Sequence, residues 1–425
     1  MADQTGGATR LRTRITTGVP KIGDPFLLGV NYWPRRKAMY FWTDFDQGEV
    51  RDEFALIRDV GIRVVRFFLR WEDFQPAPDR IDPRQIRNLE TVAQTASDVG
   101  VLLEPTLFNG HMSGPNWSPT WLLSDEPANP GDRPLIAGGR VVDRKVRNVY
   151  VDPFAIEAEE RIVRAAVGAL SGHPAIWAWS LGNEPDLFCR PPTAEDGAAW
   201  TARITNLIHE IDPAHPVTIG LHTASLEHQV GLRVDQQAEG TDFSVMHGYS
   251  IYAGWAKEPL DSDVVPFANA LTAALAGRQV LFEEYGLCTA QPGQPSHYET
   301  YPVQGRGQYR QFFPSEEDGA RYYEQVLRKL VKVGALGAFG WCFADYIPEL
   351  WDRPPCDQFI HERFFGFVRP DGSLKPHAEV IRRFAASNPV VQAPEVEVKL
   401  DVSADEYYQE PGGHLRRLFK GFGVE

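Results

Sequence analysis

From about residue 27 to 386, short apolar runs alternate with longer amphipathic stretches, and this alternation constrains the fold more than any other feature of the chain. Eight runs have strand length: 26–32, 63–69, 101–107, 176–181, 216–221, 243–247, 279–284 and 336–343. A helix between two strands makes the strands parallel, with a right-handed crossover. Eight such units close on themselves, so the expected fold class is α/β, a (β/α)8 barrel. Helix starts are legible in the gaps. Asp152-Pro153 offers an N-cap with proline at the first helical position, and Thr193 precedes Glu195 and Asp196 in a first turn.

The 425 residues, 43% of them hydrophobic, suit one elaborated barrel. The expected division is a flexible leader over 1–20, the barrel over 21–387 and an appendage packed on it over 388–425. In the appendage Val396, Val398, Leu400 and Val402 alternate, the period of a half-buried strand. Long loops are expected after strands three, seven and eight, and they predict a deep pocket at the barrel mouth.

The net charge of −14 disfavours phosphate backbones and anionic membrane surfaces as partners. No apolar run approaches the ~20 residues that span a bilayer. The leader is polar and lacks the apolar stretch of a signal peptide, which reads as a cytoplasmic protein. Cys189, Cys288, Cys342 and Cys356 have neither CxxC spacing nor the density of a disulfide framework, and are expected as free thiols.

Two strings place a glutamate where a strand-like run ends: Leu181-Gly182-Asn183-Glu184-Pro185 and Phe282-Glu283-Glu284-Tyr285-Gly286. The C-terminal ends of barrel strands converge on one face, so these glutamates can meet. A pair of carboxyls about 5 Å apart is what a retaining glycosidase needs, one to protonate the leaving oxygen and one to attack the anomeric carbon. Glu184 is expected as acid/base and Glu284 as nucleophile. The other reading of Glu184 is a loop carboxylate capping a helix. Neighbouring side chains of a strand face opposite ways, so Glu283 is expected to point toward the helix layer or a neighbouring strand.

Further residues can serve such a pair. Arg66, inside an apolar strand, can hold Glu284 ionised, against the alternative of a surface ion pair. Asn183 can direct its amide at a sugar hydroxyl. His247 and Tyr249 end strand six, where they can assist both glutamates, although a satisfied core histidine is the competing reading. Trp341 can be the flat floor on which a sugar ring stacks, or a core residue. Asn109, His111 and Trp117 follow strand three, where sugar hydroxyls or the leaving group can be met. No HExxH, Gly-rich phosphate cradle or Ser/His/Asp ordering is present, so metal, nucleotide and acyl-transfer chemistry have no sequence support.

With these motifs in order, the chain over about 26–386 resembles the retaining glycoside hydrolases of clan A, most closely family 5, the cellulase and β-mannanase family. The resemblance rests on Asn183-Glu184-Pro185, on Glu284-Tyr285-Gly286, on Arg66, on His247 and Tyr249, on Trp341, and on Phe365-Gly366-Phe367-Val368-Arg369-Pro370 with Asp371-Gly372-Ser373-Leu374-Lys375-Pro376. Gly29-Val30-Asn31-Tyr32-Trp33-Pro34 and Trp71-Glu72-Asp73-Phe74-Gln75-Pro76 are also similar to the clan's β-galactosidase members. The resemblance implies double displacement without a cofactor on an oligosaccharide or glycoside; the deep loops and the lack of a signal peptide favour exo action, and the mannanase likeness makes a β-mannosidase the first expectation. Rival readings are an endo-β-mannanase or cellulase, and a carbohydrate-binding barrel without catalysis.

Overall fold

The computed structural model describes residues 18–303 and 307–424, so most of the expected leader lies outside the described residues. Eight parallel strands form one sheet: β1 (Leu27–Tyr32), β2 (Val64–Phe68), β3 (Leu102–Phe108), β4 (Trp179–Asn183), β5 (Val217–Gly220), β6 (Ser244–His247), β7 (Val280–Gly286) and β8 (Gly337–Trp341). Their order in the sheet is β5-β4-β3-β2-β1-β8-β7-β6. Between β5 and β6 the backbone bonds Asp242 N to Val217 O (2.9 Å) and His247 N to Leu221 O (2.8 Å) join the two ends. The sheet is thus a barrel, and the eight-unit reading of the alternation holds.

The helices start and stop where local chemistry dictates. Asp46 caps α1 (Gln47–Val60) by accepting from Gly48 and Glu49 N–H, and Gly61, at φ 97°, ends it in the left-handed conformation that glycine adopts without steric cost. Asp82 and Asp152, each followed by proline, cap α2 (Pro83–Val99) and α3 (Pro153–Leu170). Thr193 and Asp196 form a reciprocal capping box at α4 (Ala194–Ile211). The outer ring continues with α5 (Val234–Glu239), α6 (Val264–Ala276), α7 (Glu316–Lys332) and α8 (Pro376–Ala386). None of the helices described is long and apolar enough to cross a membrane, and the four cysteines are unpaired.

The loops at the C-terminal ends of the strands carry their own structure. After β3 the segments Asn116–Trp117, Leu135–Ala137 and Arg140–Val142 form a small sheet. After β7 a hairpin pairs His297–Val303 with Gly307–Phe313, and after β8 come the turns Pro348–Leu350 and Ile360–Phe364.

The strand expected around Val396 to Val402 is not formed. Its alternate residues Val396, Val398, Leu400 and Val402 are partly buried against the core, so the period of two was a true burial signal. A ladder needs a neighbouring strand, however, and a closed barrel offers no free edge. The segment is followed by α9 (Pro411–Lys420), whose Phe419 packs edge-on to Trp255 and Phe267, while Tyr407 and Tyr408 donate to the carbonyls of Leu226 and Ser225 at 2.7 and 3.0 Å.

Candidate active site

Two departures from regular strand geometry build the catalytic pair. At the mouth of β4, Glu184 adopts φ 45°, ψ 55°, a left-handed conformation that costs a residue with a Cβ roughly 1–2 kcal/mol. It is held there by its N–H, which donates to Gly220 O at 3.0 Å, and by Pro185, which opens a short helix immediately after it. β4 also runs two residues past its expected end, to Asn183, so the carboxyl emerges at the rim rather than within the sheet.

On β7 the register against β6 passes from Phe282–Met246 to Glu284–His247, skipping Glu283. This bulge overturns the expectation that Glu283 faces away: both glutamates turn inward, and Glu283 is fully buried in the barrel. Alternation fails because one extra residue on a bulged strand breaks the period of two.

A carboxylate oxygen of Glu184, one of Glu284 and a ring nitrogen of His247 lie within 4.8 Å of one another. His247 Nδ1 is 3.2 Å from Glu184 Oε1 and 3.6 Å from Glu284 Oε2, and its Nε2 is 2.7 Å from Glu283 Oε2. Burial alone would lower the ring's pKa, but the Glu284 charge and the bonds to Glu184 and Glu283 outweigh it and hold His247 at about 9. The competing reading of a satisfied core histidine is thus true of its burial and incomplete about its neighbours. With both nitrogens spent on carboxylates the ring is itself the cation of the cluster, and we assign no metal to it.

Arg66, wholly buried on β2, reaches Glu284 Oε2 with Nη1 at 3.2 Å and Glu283 Oε2 with Nη2 at 3.3 Å, so it is no surface ion pair. Tyr249 donates its hydroxyl to the other oxygen of Glu284. Gly220 makes the convergence possible: a Cβ there would lie 2.9 Å from Arg66 Nη2 and 3.0 Å from His247 Cε1.

The two carboxyls of the pair are shifted in opposite directions. Burial raises Glu184, but the charges of His222 and His247 outweigh it and hold the carboxyl below its usual range. Burial, with the Glu184 charge, raises Glu284 against the pull of His247 and Arg66 and the bond from Tyr249.

His111 donates Nδ1–H to Asn116 Oδ1 at 2.9 Å, because Asn116 Nδ2 is committed to Leu187 O, and its Nε2 faces Glu184 Oε2 at 3.9 Å. Burial and then the Arg133 charge push it down to about 3, so it is neutral and presents a lone pair to the acid. Asn183 lines the pocket but spends its N–H on His111 O at 3.0 Å, and its Oδ1 is buried without a described partner.

The pocket has a volume of about 510 Å³, within the range that encloses a small ligand. Glu184, Glu284, His247, Tyr249 and Trp341 line it, with His111 and Asn183. Asn109 and Trp117 do not reach it. Trp117 is tied into the small sheet after β3, with Nε1 donating to Met112 O at 3.2 Å and Arg70 over its ring, and Asn109 is buried behind the wall. The turn closed by Trp117 N to Gly110 O brings His111 forward in their place.

Several lining groups escaped the sequence reading, His222, Glu362 and Tyr309 among them. His222, just past β5, bonds both oxygens of Asp186 at 3.0 and 3.1 Å, and its position at a strand end was the available signal. Glu362, in the loop after β8, is pushed up to about 8 by burial. Tyr309 comes from the hairpin after β7. Nothing periodic in the sequence points to the last two.

No protein-family model matches the chain. An exo-β-1,4-mannosidase from Opitutaceae bacterium strain TAV5 superposes with a TM-score of 0.69 at 23% identity, over 88% of this chain and 62% of that one. A GH5_18 structure from Streptomyces cattleya in complex with GlcNAc gives 0.73 at 19% identity, over 94% and 90%. The chain has the fold of the family 5 glycoside hydrolases. In sequence, mannan endo-1,4-β-mannosidase F of Aspergillus clavatus is 29% identical over 163 residues, 34% of this chain and 33% of that one. The chain spans about a third of the length of that relative. In this barrel Glu184 follows the last residue of β4 and Glu284 lies near the C-terminal end of β7.

Proposed function

We propose that this protein is a retaining β-glycoside hydrolase, and the spacing of Glu184 and Glu284 carries that reading. Carboxylate oxygens within 4.8 Å suit direct attack on the anomeric carbon, whereas inversion needs roughly 6.5–9.5 Å to seat a water between the groups. Glu284 attacks, with Arg66 and Tyr249 bonded to its two oxygens, while Glu184, which takes up a proton as substrate binds beside it, passes that proton to the departing oxygen. The ester removes the Glu284 charge, and Glu184, ionised again, takes a proton from the water that hydrolyses it. His247, in reach of both carboxyls, holds a proton between them during this exchange.

The substrate we propose is a short β-linked oligosaccharide or glycoside with a terminal mannose, cut from its end. Gln308 to Gln311 of the hairpin and Phe359 to Phe365 of the loop after β8 wall the pocket, which favours a chain end over a through-running polymer. The neighbours named as an exo-β-1,4-mannosidase and as a complex with Manβ1-4GlcNAc agree with that choice. The names of the curated relatives favour a second reading, internal cleavage of mannan.

Aryl β-mannoside, glucoside, galactoside and xyloside, assayed beside Glu284→Ala, test the proposal. Release from the mannoside, abolished in the variant and giving the β-anomer first by NMR, is the expected result. A first product of α configuration would overturn retention. A rapid fall in the viscosity of soluble mannan before monosaccharide appears would select the internal-cleavage reading.

A further inference from the structure

Below the catalytic pair the barrel holds two more glutamates that the double displacement does not use. Glu104 on β3 and Glu283 on β7 are both fully buried, and their carboxyls are near enough to bear on each other's charge. No described donor reaches either oxygen of Glu104. A buried carboxyl with no donor of its own beside a second carboxyl keeps its proton, since an unpaired buried charge is far more costly than a neutral acid. Arg66 and His247 both face Glu283, at 3.3 and 2.7 Å, whereas Glu104 has neither within ion-pair distance. The proton therefore sits on Glu104, and burial with the Glu283 charge raises Glu104 in the same sense.

We propose that Glu283 and Glu104 are positioning residues that keep His247 doubly protonated, so that its Nδ1–H stands between Glu184 and Glu284 while Nε2–H is anchored on Glu283. Two anions near one ring nitrogen and a third on the other fix the ring's orientation as well as its charge. The titratable and charged groups that face His247 are Glu184 from the end of β4, His222 from beyond β5, Glu283 and Glu284 from β7 and Arg66 from β2. Of the three glutamates only Glu283 lies outside the pocket lining, so it is the partner that substrate does not displace. The device serves the proposed double displacement, but the state of the ring can be measured without any substrate.

Histidine ¹⁵N NMR of the unliganded protein at neutral pH is the first test, with His247→Gln assigning the signals. Two protonated ring nitrogens on His247 are expected, and a neutral single tautomer would overturn the proposal in the wild-type protein itself. In Glu283→Gln, which keeps the shape of the side chain, the His247 titration is expected to fall by about 1 unit or more, the scale of one close opposite charge. The alkaline limb of kcat/KM is expected to move down with it. Glu104→Gln, whose amide N–H replaces the acid proton, is expected to leave the His247 titration in place. An unmoved titration in a folded Glu283→Gln would overturn the assignment, as would an alkaline limb that keeps its position while the whole profile scales down. Absence of glycosidase activity with a doubly protonated His247 would sink the functional reading and leave this one standing.

Discussion

Arg66 places Nη1 3.2 Å from Glu284 Oε2 with its guanidinium entirely out of solvent. The same side chain faces Glu283 at 3.3 Å and donates to Asn31 Oδ1 at 2.9 Å, so one cation serves two carboxylates and is fixed by a third contact. Breaking a buried pair by removing one partner leaves an uncompensated charge and costs roughly 3–5 kcal/mol. Arg66→Met is expected to lose about that much stability in urea unfolding. Arg66→Lys keeps the charge but lacks the fork that reaches both carboxylates, and is expected to fold while kcat/KM falls. A lysine variant with wild-type kinetics would show that a point charge suffices.

Tyr249 is the only neutral donor to Glu284 among the hydrogen bonds described, and it donates to the oxygen that Arg66 does not touch. Its bond favours the ionised carboxylate, so Tyr249→Phe raises the Glu284 pKa. The acid limb of kcat/KM is expected to move to higher pH, with a loss in rate on the order of 10²-fold, the scale of one preorganised donor. A rate loss without any movement of the acid limb would mean that the hydroxyl meets the sugar rather than the nucleophile.

Gly220 gives a test of the convergence itself. A methyl at this position would meet Gly182 O at 2.6 Å as well as Arg66 Nη2 and His247 Cε1. A carbonyl in a barrel strand cannot retreat, so the side chains must move. Gly220→Ala is expected to lower kcat by at least about 10²-fold, because displacements near 1 Å at a catalytic group have effects of that size. Its effect on folding is expected to be smaller, about 1–3 kcal/mol, the usual cost of overpacking. Retained kcat would show that Arg66 and His247 need not be held so closely.

The parts of this protein that were legible in the sequence are those that follow from period and strand end. Eight apolar runs gave the barrel, and Glu184, Glu284, Arg66, His247 and Trp341 were found because barrel strands deliver their last residues, and buried charges must be paired. Glu283 was misplaced because alternation assumes a regular pleat, and nothing local distinguishes a bulged strand from a flat one. The segment from Val396 to Val402 showed its burial but not its conformation, since a strand also requires a partner. Asn109 and Trp117 were close in sequence to the site and are kept from it by the path of a loop, whereas Glu362 and Tyr309 are brought to it by loops of the same kind. A loop's path is set by packing against distant elements, which no local pattern records.

Above neutral pH the buried ionisable groups act on stability in one direction. Burial raises Glu53 to about 8 against its bond from Tyr32, and raises Glu362 to about 8, while His247 stands at about 9 with its carboxylate partners. Each has a folded pKa above its unfolded value, near 4.5 for glutamate and 6.5 for histidine. The stability that His247 contributes is thus complete below pH 6.5 and is lost as pH rises toward 9. The raised glutamates lose theirs from about 4.5 up to 8. Between pH 6.5 and 8 the folded state therefore binds more protons at all three groups. Each such proton lowers the unfolding free energy by up to about 1.4 kcal/mol per pH unit. His111, His361 and His377, pushed down to about 3 by burial, act in the opposite sense only below 6.5 and leave this window untouched. Urea unfolding at pH 6.5, 7.25 and 8 is expected to show a steady loss of stability, and Glu53→Gln, neutral in both states, is expected to flatten the slope by about one proton. A wild-type stability that rises across this window would mean that the three groups are not protonated in the folded protein.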